Sequence, residues 1–356
     1  MLFCSHPDYA DNAYALCRYL SRMGYDKKYR FFWMINNEAR IPTITQQLRN
    51  DQIIATIVKR KSSKGFWLFI RCRYLITTHG CFDNIHLHQH HDKHICLWHG
   101  MPLKLIGAMV DGQMPCAPNS DITIATSSYF QKMMSKAFML PVSKVLVTGQ
   151  PRCDLLLEPT DWFEKEGIDR SKYRQIGMWM PTFRKSIVGA IRVDGDYQEK
   201  RVSFLDFQQL EALDKYLYSV STLLVIKIHG MDALQNERFP DFNNIRIIYP
   251  QTFSSQLYPL LGSCDFLLTD YSSVFIDYQI LCRPIGFVMD DIELYKKTRG
   301  LSFGDIEKGL PGPILSDYDS LCAFIKSPFK IKSELVFNDY SDDKASERIC
   351  RILHLN

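Results

Sequence analysis

The strongest constraint on this chain is a rhythm that stops once and then starts again. Short apolar runs, each the length of a buried strand, alternate with stretches of helical spacing. "MLFCS" at residues 1–5 reads as a strand, and "ADNAYALCRYLSRMG" follows as a helix ending at Gly24. "YRFFWMIN", "QIIATIV" and "RYLITTHG" are further strands, and "HICLWHG", "DITIATSS" and "KVLVTGQP" carry the series to about residue 151. After "PRCDLLLEPTDWFEKEG" it resumes with "QIGMWMPTFR", a helix over 204–218, "TLLVIKIHG", "IRIIYP", "CDFLLTD", a helix from about 272 and "RPIGFVM". Strands alternating with helices predict an α/β fold with mostly parallel, doubly wound sheets. Polar, Pro-containing sequence over residues 153–170 marks the break. Two Rossmann-like lobes follow, residues 1–155 and 156–356, with an interdomain cleft between them. "DDKASERICRILHL" near the end has helical spacing through Ala345, Ile349, Ile352 and Leu353, and this last helix is free to pack back on the first lobe.

Composition narrows the class. A chain of 356 residues exceeds what one core usually serves, and 46% hydrophobic with 23% charged residues is the balance of a soluble globular protein. Lys and Arg exceed Asp and Glu only by 43 to 39, which suits anionic substrates or lipid head groups and does not imply nucleic acid as a partner. Eleven cysteines with no Cys-x-x-Cys pair read as reduced, mostly buried thiols of a cytosolic protein. Asp8 and Asp11 fall where a signal peptide would need an apolar core, and no run approaches the roughly 20 apolar residues of a spanning helix. The expected location is therefore cytoplasmic.

Several strand ends carry chemistry. In "LLTDYSSVFIDYQILCRP", residues 267–284, Asp270, Tyr271, Ser272 and Ser273 stand between an apolar strand and a helix. Open α/β sheets bind ligands at this edge, where free N–H groups and the helix dipole favour a phosphate and the serine hydroxyls add donors. Asp270 would repel a phosphate, so it caps the helix or holds a sugar hydroxyl; a plain N-cap without ligand explains the stretch equally well. "CLWHGMPLKLIG", residues 96–107, repeats the pattern, with His99 and Gly100 before a helix entered through Pro102. Gly100 allows close backbone approach, His99 has the pKa range of a general base, and Lys104 could neutralise phosphate oxygens. "VIKIHG" places His229 in the second lobe, and "MWMPTFR" ends a strand with Pro181, Thr182 and Arg184, whose guanidinium suits a phosphate. "VTGQPRCD" adds Gly149, Arg152 and Asp154, either at a ligand or in an interdomain turn. With no P-loop and no Gly-rich dinucleotide fingerprint, the set fits an anionic donor such as a nucleotide diphosphate.

Two further segments stand out. Seven of ten histidines lie between residues 79 and 99, five of them in "HLHQHHDKH", whose spacing matches no closed zinc site and reads as a solvated loop. "KRKSSKGFWLFIRCRY", residues 59–74, interleaves six basic residues with Phe66, Trp67, Leu68, Phe69 and Ile70. It suits either an anionic lipid surface or a buried helix flanked by solvated charge.

These motifs resemble the CDP-glycerol glycerophosphotransferases of teichoic acid and capsule synthesis. "SHPDYADNAYALCRYL", "WHGMPLKLIG", "VTGQPRCD", "MPTFR", "KIHG", "TDYSSVFIDYQILCRPIGF" and "YKKTRGLSFGDIEKGLPGP" occur in the family's order over nearly the whole chain. The resemblance implies a GT-B-like fold whose C-terminal lobe holds a CDP-alditol, either CDP-glycerol or CDP-ribitol. It also implies transfer of the alditol phosphate to a hydroxyl of a lipid-linked glycan or polymer acceptor, with release of CMP and without metal or cofactor. His99 matches the family's base, His229 the second histidine on the donor phosphates, and Arg184 the arginine after that lobe's first strand. Asp270, Ser272, Ser273 and Asp277 match the donor segment; which histidine is the base stays open. Met101 stands where the family usually has Thr, and Gly230 where it has Pro, so the loops that set the alditol and acceptor differ. The chain is short beside polymerising members with long N-terminal extensions, which points toward a primase-like or capsule-associated enzyme on the cytoplasmic face of a bacterial membrane. A GT-B glycosyltransferase with a nucleotide-sugar donor is the nearest alternative, and a noncatalytic membrane-associated nucleotide-binding adaptor is one of another class.

Overall fold

The apolar runs form strands because both of their faces are covered, so they need no polar alternation. In the computed structural model, which describes residues 1–83, 93–182, 202–230, 232–253, 255–290, 292, 309–329 and 337–354, the chain makes two all-parallel sheets. The first contains β1 (Leu2–Cys4), β2 (Phe31–Ile35), β3 (Ala55–Lys59), β4 (Tyr74–Thr77), β5 (Lys93–Cys96), β6 (Ile122–Ala125) and β7 (Val145–Val147), in the order β3-β2-β1-β4-β5-β6-β7. The second contains β8 (Gln175–Met180), β9 (Thr222–Lys227), β10 (Ile245–Ile248), β11 (Phe266–Thr269), β12 (Ile285–Val288) and β13 (Ile314–Leu315), in the order β10-β9-β8-β11-β12-β13. Both are doubly wound. The strand order reverses between β1 and β4 in one sheet and between β8 and β11 in the other, and crevices for ligands open at the carboxyl ends of such strand pairs.

Each sheet has its own core. Leu2, Met34, Val58, Leu68, Phe69 and Leu75 cluster in the first. Trp179, Leu210, Leu213, Leu217, Leu224, Ile226, Phe266 and Leu268 cluster in the second. Contact within the second core is close enough that a Cβ built at Gly177 would lie 2.1 Å from the Phe266 ring. The eleven cysteines are all free thiols and all but Cys282 are buried, as the absence of a paired pattern predicts.

The chain divides into one unit of Met1–Pro102, Ile106–Leu156 and Leu335–Asn356 and another of Leu103–Leu105 and Leu157–Glu334. Within the first unit, the half-buried Asp154 accepts from the N–H groups of Ala345 and Ser346 at 2.9 and 2.8 Å, fastening the start of the terminal helix Ala345–Ile352. Burial of that carboxyl pushes its pKa up to about 6, against the pull of those donors. The helix buries Ala345, Ile349 and Cys350, while Ile352 is 37% exposed, so the spacing through Ile352 does not mark the inward face.

Two helix expectations change. After Gly100 no helix forms: residues 101–106 are irregular, and only a 3-10 turn follows at Gly107–Met109. Gly100 at φ 148° and Gly107 at φ 49° place the backbone where a helix cannot run. The helix expected from residue 272 is short, Val274–Tyr278, continues as a 3-10 turn over Gln279–Leu281, and ends at the left-handed Cys282.

Candidate functional site

In the first unit, the loop after β5 carries His99, and its backbone is clamped from below. Asn12, fully buried in the helix Asp11–Arg22, donates through Nδ2 to the carbonyls of Leu97 and Trp98 at 3.3 and 2.9 Å and to Gln150 Oε1 at 2.9 Å. Its Oδ1 accepts from the Arg152 N–H at 3.0 Å. Arg152 Nη1 donates to the next carbonyl, that of His99, and to Asp11 Oδ1, both at 2.9 Å. Three consecutive carbonyls are therefore fixed by two buried side chains, while the His99 ring itself is exposed. A histidine in that position can meet a substrate hydroxyl without the loop having to order first.

The ends of the two strands at the crossover supply more imidazole. His79 follows β4, and its ring stacks on that of His99, with centroids 4.2 Å apart and planes 5° from parallel. His6, just past β1, meets His79 edge to face at 5.6 Å. Trp98 packs beside His99 at 4.2 Å between centroids. Burial holds His79 down to about 3, and the neighbouring His99 adds to the shift.

In the second unit, the buried Asp270 at the end of β11 accepts from the Thr182 N–H at 3.0 and 3.1 Å and from its hydroxyl at 3.0 Å. It thereby holds the loop leaving β8. Ser272 accepts from Val274 N–H at a long 3.4 Å, and Ser273 occupies the N-cap position with no side-chain cap bond, so a simple capping role does not explain the pair. His229, half-buried, follows β9, the strand beside β8. Two residues earlier, burial pulls the Lys227 ammonium down to about 8. A pocket of about 630 Å³ lined by Lys172, Asp214, Lys215 and Asn244 lies at the opposite, amino edge of this sheet. There Asp214 is already engaged by the N–H groups of Asn243, Asn244 and Ile245.

The predicted residues therefore divide. His99, Gly100 and Arg152 come together in the first unit; Asp270, Ser272 and Ser273 share the end of β11 in the second, with His229 two strands along. Two of them have structural partners. Arg152 is 6% exposed and its Nη1 bonds Asp11 and the His99 carbonyl, so it supports the histidine loop. Asp277 is fully buried and accepts the Tyr258 hydroxyl at 2.5 Å, which assigns its carboxylate to the core. Lys104 is half-buried in the irregular stretch after Gly100, and Arg184 lies outside the described residues. Of the histidine-rich run, only His94 is described: it is buried between Thr77 and the Asn119 carbonyl. Among the described residues no group of three or more His, Cys, Asp or Glu could hold a metal ion.

Sequence reading missed Asp11, Asn12, His6, His79 and Lys227. A signal existed for two of them: Asn12 is a polar residue four positions before Leu16 on the buried stripe, and His79 stands after β4 as His99 stands after β5.

Comparison with known proteins adds to this geometry. Residues 1–355 match the profile of a family described as CDP-glycerol:poly(glycerophosphate) glycerophosphotransferase. The teichoic acid glycerol-phosphate transferase of Staphylococcus aureus is 28% identical over 72% of this chain and 69% of its own length. The teichoic acid ribitol-phosphate primase of Bacillus spizizenii is 28% identical over 66% of this chain, and the match spans 59% of that protein. A solved structure of the wall teichoic acid polymerase TagF superposes with a TM-score of 0.76 at 22% identity, over 99% of this chain and 88% of that one, and it establishes a GT-B-like fold.

Proposed function

Because the chain belongs to the CDP-glycerol:poly(glycerophosphate) glycerophosphotransferase family, we propose that it transfers an alditol phosphate from a CDP-alditol to an acceptor hydroxyl in teichoic acid synthesis, releasing CMP. The carrying observation is that a chain matched throughout by that family sets histidines, hydroxyls and a loop-holding carboxylate at the carboxyl ends of two doubly wound sheets.

The acceptor oxygen attacks the alditol-bearing phosphorus, the bond from that phosphorus to the CMP oxygen breaks, and CMP leaves with the electron pair. His99 takes the hydroxyl proton; its exposed ring on a clamped backbone supports that role. His229, Arg184, Ser272, Ser273 and Lys227 stabilise the phosphate charge, and Asp270 fixes the loop that leads to Arg184. The chemistry needs no metal in this reading, since positioned cations and N–H groups carry the charge. Glycerol and ribitol donors are both admissible, and the acceptor is a lipid-linked glycan or polymer. Nucleic acid is not a partner.

The reading places the protein on the cytoplasmic face of the membrane. Among the described residues no helix is long and apolar enough to cross a bilayer. The helix Ser63–Arg71 buries Leu68 and Phe69 but leaves Trp67 60% exposed, with Lys64 and Arg71 also exposed. Lys59 pairs with Glu38 at 2.6 Å and Arg60 lies over the Phe82 ring, so only part of the basic segment is left for anionic lipid.

The deciding assay is CMP release with CDP-glycerol and then CDP-ribitol, with EDTA present and a panel of lipid-linked and soluble glycan acceptors. Acceptor-dependent release from one donor supports the reading and names the alditol. Turnover of a nucleotide sugar instead would make the protein a glycosyltransferase, and liposome binding with no turnover of any donor would make it an adaptor.

A further inference from the structure

The proposed reaction leaves His79 without a task, although its ring stacks face to face on that of His99. We infer that His79 is a positioning residue for His99, a neutral aromatic platform that fixes the orientation of the His99 ring and favours its imidazolium once the acceptor proton has been taken. The inference rests on the reading of His99 as the base.

Three observations carry it. The rings are parallel and 4.2 Å apart, so the face of one imidazole lies over the face of the other. Two charged rings so stacked would repel, whereas a neutral ring presents its electron-rich face to a cation. Thr78 supports the neutral form of His79. Its Oγ1 accepts the His6 N–H at 3.1 Å and lies 3.1 Å from His79 Nδ1, so donating its own proton to Nδ1 gives the buried hydroxyl an acceptor. In that arrangement the ring proton resides on Nε2 and His79 is neutral. Burial acts in the same direction, keeping His79 uncharged throughout the range in which His99 would work. The titratable neighbours that face it are His99, His6 and Asp11, and Asp11 is engaged by Arg152 at 2.9 Å. No other strong negative charge is available to draw a second proton onto the stack among the described groups that act on it.

The test compares His79→Phe, which keeps an aromatic face, with His79→Leu, which fills similar volume without one, in the CMP-release assay across pH. His79→Phe is expected to keep about a third or more of kcat. His79→Leu is expected to lose about tenfold in kcat with the KM for CDP-alditol unchanged, and to move the acid limb of the kcat profile to lower pH, because the imidazolium loses its partner. Equal activity of the two variants, whether high or low, would overturn the platform role, since simple packing would be served alike by both. Should His79→Leu fail to fold, Thr78→Val removes the hydroxyl that holds Nδ1. A kcat lowered about threefold at constant KM supports the inference, and wild-type kcat overturns it. His99→Ala in the same series separates the two claims: retained turnover there removes the base assignment, whereas loss of turnover with a wild-type His79→Leu removes only the platform.

Discussion

The two sheets share one strand order and use its carboxyl edge in opposite ways. In the first unit the side chains Asn12 and Arg152 grip backbone carbonyls, so the loop after β5 is fixed and its imidazole projects outward among other aromatic rings. In the second unit a carboxylate grips a backbone amide, since Asp270 holds Thr182, and the same edge of the sheet carries Ser272 and Ser273 after β11 and Lys227 and His229 at the end of β9. The first arrangement suits handling a proton and the second suits holding phosphate. A doubly wound lobe does not dictate which; the side chains that anchor its strand-end loops do.

The division breaks most visibly if one unit can do the other's work. His99→Ala should lower acceptor-dependent CMP release by about 10²–10⁴-fold, the usual range for a lost general base, while leaving the Kd for CDP-alditol within a few-fold. Asp270→Ala should reverse the pattern, weakening CDP-alditol binding by about tenfold as the Thr182 loop loses its three bonds. Calorimetry on both variants checks the pair. Equal loss of donor binding in each would mean that the units are not specialised as described.

The next largest effect falls on stability. Arg152 and Asp11 form a pair whose side chains are only 7% and 13% exposed. Arg152→Met leaves the nearly buried carboxylate with only the Asn12 N–H at 2.7 Å as its remaining donor among the described residues, at a cost of about 3 kcal/mol in urea unfolding of the first unit. Replacing Asp11 by Asn in the same chain should recover part of that loss. If the single variant unfolds at the wild-type midpoint, the clamp under His99 is not what holds the loop.

These anchors mark the limit of what the sequence disclosed. The sheets were legible because apolar runs of four to six residues in a parallel sheet have little other conformation available to them, and the strand-end position of His99, His229 and Asp270 followed from where those runs stop. What Asp270, Asp277 and Arg152 bond to was not legible, because Thr182, Tyr258 and Asp11 are 88, 19 and 141 residues away along the chain. Short elements were also obscured: β13 has two residues and carries almost no periodicity. The helix expected after Gly100 does not form because Pro102, a residue favoured at a helix start, follows a glycine at positive φ and precedes another at Gly107, conformations that the residue types alone do not reveal.

Packing separates the units less strongly. Gly177→Ala would place a Cβ against the Phe266 ring, which sits in the middle of the second core. The expected loss is about 1–3 kcal/mol, from overpacking, confined to the second unit. Protection of its amides against hydrogen exchange should fall while that of β1 to β7 holds. A loss shared equally by both units would show that they unfold as one.

The smallest effect distinguishes the units by pH. His79 has a native pKa lowered to about 3, from 6.5, and Lys227 one lowered to about 8, from 10.5. In both cases the unfolded chain binds more protons than the native one within the window between the two values, so stability rises with pH there. For His79 the window is pH 3 to 6.5, and acidification through it weakens the first unit; for Lys227 it is pH 8 to 10.5, and raising pH through it strengthens the second. The ceiling is about 1.4 kcal/mol per pH unit, and because both groups keep some contact with water the slopes should be a few tenths to about 1 kcal/mol per unit. Hydrogen exchange resolved by unit measures each slope. His79→Phe should flatten only the acid slope in the first unit, and Lys227→Met only the alkaline slope in the second. If either substitution flattens both, the charge environments of the two strand-end sites are coupled, and the separation of proton handling from phosphate holding gives way to a single shared site.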